Sequence, residues 1–358
     1  MTPQQETLLS LIRAIVRGAY DAPMMTGVDW ETVRAEATRQ GVQGLCFDAL
    51  ELLPADGRPD KKVLLEWLGQ VAWAERLYEK HKLAIDTLSL FYQQHNIKMM
   101  MLKGYGLSLY WPKPKHRPVG DLDVYLGEKW QVADQMVSEK LGIKIDDGHE
   151  HHTCFCFQGT SVENHYDFVN TKANKSSRDL EAVFKKLAVF DMPMTLDRGV
   201  VYLPSPTLNA IFLIRHLGQH FAGAEATLRQ LLDWAFFMQH ESENVDWNLV
   251  YSTLRKVGGY RLFHQINAIC VDYLGFPESS FPRIERDNAL ERRIIEDICA
   301  PEFNETKPEG NTIQVIWFKT RRFFANRWKR RLVYRDGLWS QLWYGSMAHL
   351  RRFRTIKD

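Results

Sequence analysis

The stretch that most constrains the fold is residues 99–126, which run MMMLKGYGLSLYWPKPKHRPVGDLDVYL. This pattern predicts an apolar strand, a Lys-Gly turn, a short helix, a proline-rich loop and an acidic strand. Alternation along a strand places Asp121 and Asp123 on one face and turns Leu122 and Val124 toward a core. Carboxylates this close repel each other unless a cation lies between them, and Mg²⁺ prefers such oxygen ligands. The alternative is a solvated Asp-x-Asp pair on an edge strand.

The residues upstream of the acidic pair have features of a phosphate-binding turn. Lys103 is followed by Gly104 and Gly106, which open a helix predicted over 107–111. A helix N-terminus with glycines and a lysine favours phosphate binding, although Lys103 could also be the polar end of a buried strand. Gly120 permits close backbone approach just before the acidic pair. A phosphate-binding turn followed by paired carboxylates is the order that a nucleotidyl-transfer site needs.

The run L-K-G, then L-Y-x-P, then R-x-x-G-D-L-D between residues 102 and 123 resembles the polymerase-beta-like nucleotidyltransferase superfamily. It is more similar to a bacterial branch described as uncharacterised nucleotidyltransferases, with a weaker resemblance from about residue 28 to about residue 265. Lys103-Gly104 stands where the superfamily has a Gly-Ser pair. The resemblance implies an α+β fold with a small mixed β-sheet core flanked by helical segments. It also implies a nucleoside triphosphate (NTP) as donor substrate, with Mg²⁺ or Mn²⁺ as cofactor.

A third carboxylate is implied by the same resemblance. Residues 149–158 and 160–170 alternate apolar and polar side chains around Gly159-Thr160, which predicts a β-hairpin. Glu163, His165 and Asp167 share one face of the second arm. The V-E-x-H pattern of the branch makes Glu163 the third carboxylate, which would bind metal and orient or deprotonate an acceptor hydroxyl.

Arg117 completes the predicted site. It lies four residues before Asp121, where a guanidinium could grip a triphosphate with two hydrogen bonds or could pair locally within the loop. The predicted catalytic and metal-binding residues are Asp121, Asp123 and Glu163. The predicted nucleotide-binding residues are Lys103, Gly104, Arg117 and Gly120.

Four regions are predicted along the 358-residue chain. Residues 1–95 carry helical apolar stripes, with Asp29 as N-cap of a helix from Trp30. Residues 96–205 form the nucleotidyltransferase-like core, with strands over 98–102, 121–126, 143–145 and 199–204 and a helix over 129–141. Residues 206–310 form a C-terminal helical domain. Residues 311–358 form a basic, aromatic helical tail.

Several polar groups outside the predicted site have two interpretations each. His216 and His220 lie four apart on one helical face, as a metal-ligand pair or, with more weight, a structural pair. Arg229 and Asp233 share the same spacing, as an intrahelical ion pair or as substrate contacts. Three histidines around Glu150 are interpreted as surface or substrate-channel groups, with metal binding as the alternative: His149, His151 and His152.

The tail alternates basic and aromatic side chains and contains only two acids, Asp336 and Asp358. Three interpretations remain open. The tail could pack its aromatic residues on the body, lie on an anionic membrane surface, or bind RNA or another polyanion.

Composition narrows the possible functions. A net charge of +2 argues against a polycation of the nucleic-acid-binding type. Five scattered cysteines and the lack of a secretory start predict a cytoplasmic protein, with peripheral membrane contact through the tail as an option. There is no G-x-S-x-G or P-loop motif. The prediction is nucleotidyl transfer to an unknown hydroxyl of a small molecule, glycan, protein or RNA. The alternatives are a non-catalytic nucleotide- or polyanion-binding module and a membrane-surface enzyme of glycan or lipid assembly.

Overall fold

The computed structural model describes residues 1–20, 27–223, 225–308 and 312–351, with side chains up to residue 344. The predicted loop at Pro23 lies outside these residues. The fold is α+β, as expected. The strands are β1 (Met100–Leu102), β2 (Leu122–Tyr125), β3 (His152–Phe157), β4 (Thr160–His165), β5 (Pro193–Thr195) and β6 (Val200–Tyr202). The helices are α1 (Pro3–Arg17), α2 (Trp30–Arg39), α3 (Gln43–Ala49), α4 (Lys61–Gln94), α5 (Gly104–Ser108), α6 (Trp130–Leu141), α7 (Lys175–Leu187), α8 (Pro206–Gly223), α9 (Leu228–Glu241), α10 (Trp247–Val257), α11 (Tyr260–Asp272), α12 (Asn288–Cys299), α13 (Thr312–Ala325), α14 (Arg327–Val333) and α15 (Leu338–Arg351).

The six strands form one mixed sheet in the order β3-β4-β2-β1-β6-β5. The acidic strand β2 is central, where it runs antiparallel to β1 and parallel to β4. Leu122 and Val124 of β2 pack with Ile85 and Leu88 of the long helix α4 and with Val137 of α6. This packing buries the apolar face of β2 and leaves its acidic face toward the C-terminal helical domain.

Helix α2 begins as the sequence predicts. Asp29 caps α2 by accepting a hydrogen bond from the Thr32 backbone. Asp60, which was not predicted as an N-cap, caps the 34-residue helix α4 in the same way through Val63. Its length allows it to contact both the N-terminal helices and the sheet.

Three local predictions in the core were wrong. The helix predicted over 107–111 lies earlier, at Gly104–Ser108, because Lys103 and Gly104 take positive φ angles that end β1 abruptly. No strand forms over 143–145, where Asp146 makes an isolated bridge to Cys154 instead. The hairpin turn is Gln158-Gly159 rather than Gly159-Thr160, because these two residues have the positive φ angles, 50° and 70°, of a tight hairpin turn.

The C-terminal tail is partly packed on the body. Lys329 of α14 is buried and pairs with Asp297 of α12, while Trp328 packs edge-on against Phe221 of α8. On α13, Val315 and Phe318 are buried. Within the described residues, no helix combines the length and apolar character needed to cross a bilayer.

Candidate active site

A cleft of about 330 Å³ opens between the acidic face of the sheet and helices α8 and α9. All seven residues predicted for the site line it: Lys103, Gly104, Arg117, Gly120, Asp121, Asp123 and Glu163. The opposite wall comes from the C-terminal helical domain, which contributes Leu213, His216, Leu217 and His220 from α8 and Arg229, Gln230 and Asp233 from α9. The cleft therefore forms only where the core and the helical domain meet.

The two inner carboxylates are brought together by strand pairing. Asp123 of β2 is the direct register partner of Glu163 on the parallel strand β4. Residues in direct register point to the same side of a sheet, so both carboxylates face the cleft. The sequence suggested Glu163 only through resemblance, and the register supplies the physical reason for its position.

Lys103 and His165 contact these carboxylates. Lys103 Nζ lies 2.8 Å from Asp123 Oδ1, and His165 Nε2 lies 3.1 Å from the same oxygen. His165 Nε2 also lies 3.4 Å from Glu163 Oε2. Burial opposes ionisation of Asp123, but Lys103 and His165 outweigh it and hold the pKa of Asp123 well below its usual range. Burial alone would lower the pKa of His165, but Asp123 and Glu163 raise it above the ordinary histidine value.

Asp121 has a different electrostatic environment. It precedes β2 and is exposed to the cleft. Partial desolvation raises the pKa of Asp121, and the negative charges of Glu163 and Asp123 raise it further. Because a bound cation would relieve this repulsion, Asp121 gains more than its neighbours from a positive charge in the cleft.

The donor atoms fit a divalent cation. One ligand atom from each of Asp123, Glu163 and His165 lies within 4.8 Å of the others, and Asp121 lies outside this trio but lines the same cleft. Carboxylate oxygens suit Mg²⁺ and Mn²⁺, and an imidazole nitrogen is tolerated better by Mn²⁺. Such a cation would compete with Lys103 for Asp123 Oδ1.

The strand-to-helix turn at Lys103 is strained. Lys103 has φ of 51° and Gly104 has φ of 42°, so two successive residues occupy the left-handed region. A lysine in this region costs free energy, and such costs concentrate at functional sites. The turn places the Lys103 ammonium against Asp123.

Arg117 has a different partner from the predicted phosphate. Its Nε and Nη2 donate to the two oxygens of Asp233 at 2.7 and 2.9 Å, and its Nη1 donates to the Pro118 carbonyl. Trp111 Nε1 donates to the same carboxylate at 2.9 Å. The guanidinium is therefore already engaged and fixes the loop before Gly120 to helix α9.

Of the two interpretations of Arg229 and Asp233, the intrahelical ion pair does not form, because the Asp233 carboxylate pairs with Arg117 instead. Substrate contact stays a prediction. Arg229 lines the cleft instead. No side-chain hydrogen bond or ion pair reaches its guanidinium from the part of the chain that the structure describes. His216 and His220 pack edge-to-face and line the same wall. The four-residue spacings placed these groups on one face, but the spacing could not show that the face borders a cleft.

Comparison with known proteins identifies the family of the chain. No curated protein matches the chain. Among solved structures, the chain is similar to an antigenic nucleotidyltransferase-like protein from Paracoccidioides brasiliensis, with 13% sequence identity and a TM-score of 0.36. That similarity covers 57% of this chain and 97% of the other. The sequence profile of the family described as "Uncharacterised nucleotidyltransferase" matches residues 26–275, which include the whole cleft. The chain therefore belongs to this nucleotidyltransferase family.

Proposed function

We propose that this protein is a metal-dependent nucleotidyltransferase of the polymerase-beta-like type, which moves a nucleoside monophosphate from an NTP to an acceptor hydroxyl and releases pyrophosphate. The observation that carries the proposal is the meeting of Asp121, Asp123 and Glu163 with Lys103 in one cleft. Family membership supports an NTP as donor. The acceptor is unidentified, and a small molecule, glycan, protein or RNA end would each supply the hydroxyl.

Asp121, Asp123 and Glu163 would hold Mg²⁺ or Mn²⁺. When bound, the cation neutralises phosphate charge and lowers the pKa of the attacking hydroxyl. Glu163 lies on the neighbouring strand from Asp123, so it would orient the acceptor hydroxyl and accept its proton. Once the cation binds the carboxylates, Lys103 would be released from Asp123 to contact a phosphate.

The remaining cleft residues would position the triphosphate. A Cβ atom added at Gly120 would lie more than 4 Å from every neighbouring atom, so the backbone there is open to a phosphate. Arg229 offers a guanidinium that lacks a carboxylate partner in the described chain. We assign the direct phosphate contact to Lys103, Gly104, Gly120 and Arg229. Arg117 acts as a positioning residue, because its guanidinium holds Asp233.

The test is calorimetric titration of each NTP, with and without Mg²⁺, on wild type and on Asp121→Asn/Asp123→Asn. We expect Mg²⁺-dependent binding of at least one nucleotide and its loss in the double variant. The matched control is Asp146→Asn/Asp147→Asn, which removes two exposed acids outside the cleft. Binding that survives in the cleft variant, or that fails equally in the control, contradicts the proposal.

The other candidate is a non-catalytic nucleotide- or polyanion-binding module. It predicts nucleotide binding that is independent of Mg²⁺ and unaffected or strengthened when the acids are neutralised. The same titration separates the two functions, because only the enzyme needs a cation between its carboxylates and the phosphates.

We also propose that the protein is cytoplasmic and that the tail holds it on an anionic membrane surface. Residues 312–358 contain 12 of the 46 lysines and arginines but only 2 of the 44 acids, so they carry +10 while the rest of the chain carries −8. An anionic surface would therefore attract the tail and repel the body. Basic residues near such a surface contribute about 1 kcal/mol each.

The tail also has exposed apolar side chains. Ile313, Ile316, Trp317 and Phe324 are exposed and share one face of α13, and Trp339 and Trp343 are exposed four residues apart on α15. Exposed tryptophans beside basic side chains are typical of helices that lie in a membrane interface. Packing on the body accounts for Phe318, whereas Ile316, Trp317 and Phe324 are exposed in the described part of the chain.

The membrane proposal is tested by vesicle flotation with phosphatidylglycerol-containing and pure phosphatidylcholine vesicles. We expect salt-sensitive binding to the anionic vesicles only, lost in Ile316→Glu/Trp317→Glu. Trp73→Glu is the matched control, because Trp73 on α4 is 61% exposed and Trp317 is 64% exposed. Absence of flotation, or concentration-dependent dimerisation through the same residues, contradicts the proposal.

A further inference from the structure

Three histidines meet at the end of the β3–β4 hairpin, beside the carboxylates. His152 begins β3 and is the register partner of His165, which ends β4. His151 precedes β3, and its carbonyl accepts hydrogen bonds from the Tyr166 and Asp167 backbones. The ring centroid of His152 lies 4.6 Å from that of His151 and 5.1 Å from that of His165. Strand pairing and these backbone bonds therefore fix the three imidazoles side by side.

The nitrogens of this cluster converge, and three of them lack partners among the described residues. One ring nitrogen from each histidine lies within 4.8 Å of the other two. His152 is buried, and neither of its ring nitrogens has a hydrogen-bond partner among the described residues, nor does His151 Nδ1, whereas both nitrogens of His165 contact oxygens. A buried imidazole that donates and accepts nothing is costly, and a bound ligand would remove that cost. The sequence interpretation of these residues as surface or channel groups is correct for His149, which is exposed, and wrong for His152.

The chemistry of the donors selects the ligand. Lone pairs on neutral imidazoles bind borderline first-row cations such as Zn²⁺ and Co²⁺, whereas Mg²⁺ requires oxygen. The unpartnered ring nitrogens of His151 and His152 supply two such lone pairs, and the third comes from His165 when the cation displaces its proton. Glu163 Oε1 lies 3.9 Å from His152 Nε2 and offers an anionic oxygen at the edge of the cluster.

We propose that His151, His152 and His165 form a binding site for a first-row transition cation of the Zn²⁺ type, next to the carboxylates. Two of its three ligands, His151 and His152, are absent from the lining of the cleft. The site joins the hairpin end to the carboxylate pair, because His165 contacts both Asp123 and Glu163. The proposal concerns metal binding and does not rest on nucleotidyl transfer.

A competing trio shares His152. His149, His152 and Cys154 also place ligand atoms within 4.8 Å of one another. His149 is exposed, and burial raises the pKa of the Cys154 thiol to about 12, which disfavours the thiolate that binds metal. Co²⁺ distinguishes the two trios, because thiolate ligation adds an intense charge-transfer absorption that histidine ligation lacks.

The experiment is titration of the chelator-treated full chain with Co²⁺, followed by visible absorption and by elemental analysis after Zn²⁺ displacement. We expect one tightly bound cation per chain with no thiolate absorption. His151→Ala/His152→Ala should weaken Co²⁺ binding by at least about tenfold. His216→Ala/His220→Ala removes two histidines from the opposite wall of the cleft and should leave Co²⁺ binding unchanged.

Two further measurements keep the result decisive. His152→Asn retains a side chain of similar shape, so it replaces the double variant if that variant does not fold. Zn²⁺ should raise the unfolding temperature of wild type and not of His152→Asn, since a ligand stabilises only the state that binds it. Asp121→Asn should abolish nucleotide binding and keep the Co²⁺ spectrum, which separates this proposal from the nucleotidyltransferase proposal. The histidine-site proposal would be overturned by any of three results. These are no Co²⁺ binding in wild type, a thiolate absorption, and equal loss of Co²⁺ binding in the His151/His152 and His216/His220 double variants.

Discussion

Replacing Asp233 by asparagine should destabilise the folded protein by about 3 kcal/mol or more. The carboxylate of Asp233 accepts two hydrogen bonds from Arg117 and one from Trp111, and the Arg117 and Asp233 side chains are only 4% and 6% exposed. Asparagine keeps the shape but removes the charge, which leaves a buried guanidinium without a counter-ion. Removing one partner of a buried pair costs about 3–5 kcal/mol, because the other charge remains desolvated.

The chain contains a matched control for this variant. Glu302 receives two hydrogen bonds from Arg293 and one from Trp328, as Asp233 does from Arg117 and Trp111. The Arg293 and Glu302 side chains are 50% and 44% exposed, so water can solvate the charge that remains after substitution. Glu302→Gln should therefore cost about 0–1 kcal/mol. Urea unfolding followed by circular dichroism measures both values. A difference of less than about 1 kcal/mol between the variants would refute the argument from burial.

The same variant tests the role of Arg117 in the cleft. If Arg117 only positions the loop before Gly120, Asp233→Asn weakens NTP binding by loosening that loop. If Arg117 binds phosphate directly, the variant frees the guanidinium and strengthens NTP binding. Titration of the folded variant with nucleotide, below the onset of its unfolding, distinguishes the two by the sign of the change.

Three other predictions concern His116, Gly44 and Arg229. Burial lowers the pKa of His116, but Asp48 and Glu75 outweigh burial and raise that pKa above the ordinary histidine value. The contribution of protonated His116 to stability is therefore complete below about pH 6.5 and is lost as the pH rises through the raised pKa. His116→Asn should remove this loss, which unfolding measured from pH 6 to 9 on both proteins would detect. Gly44→Ala should cost about 1–3 kcal/mol in urea unfolding, because its Cβ would lie 2.6 Å from His116 Cβ and 2.9 Å from His116 Cα. Arg229→Gln should weaken NTP binding by calorimetry by about tenfold while urea unfolding changes by less than about 1 kcal/mol, since the guanidinium has no partner to lose within the described chain. Unchanged affinity would remove Arg229 from the phosphate site.

The faces of the acidic strand could be predicted from the sequence. Alternation placed Asp121 and Asp123 opposite Leu122 and Val124, and the packing of those two apolar residues against the helical layer follows that pattern. Side-chain period depends only on local backbone geometry, so a short stretch of sequence is sufficient to read it. Turns were read less well, because the positive φ angles at Lys103 and Gln158 occur at residues that carry no glycine signal.

Which charges meet depends on the packing of distant segments. Arg117 and Asp233 are 116 residues apart, and His165 and Asp123 are 42 apart, so no local pattern could pair them. The spacing of Arg229 and Asp233 is compatible with a pair on one helix, but α9 packs against the loop so that Asp233 pairs with Arg117 and Arg229 lines the cleft. A buried ion pair requires desolvation and close geometry together. Both are properties of the packed interface rather than of either segment, so the candidate residues can be identified from the sequence but their partners cannot.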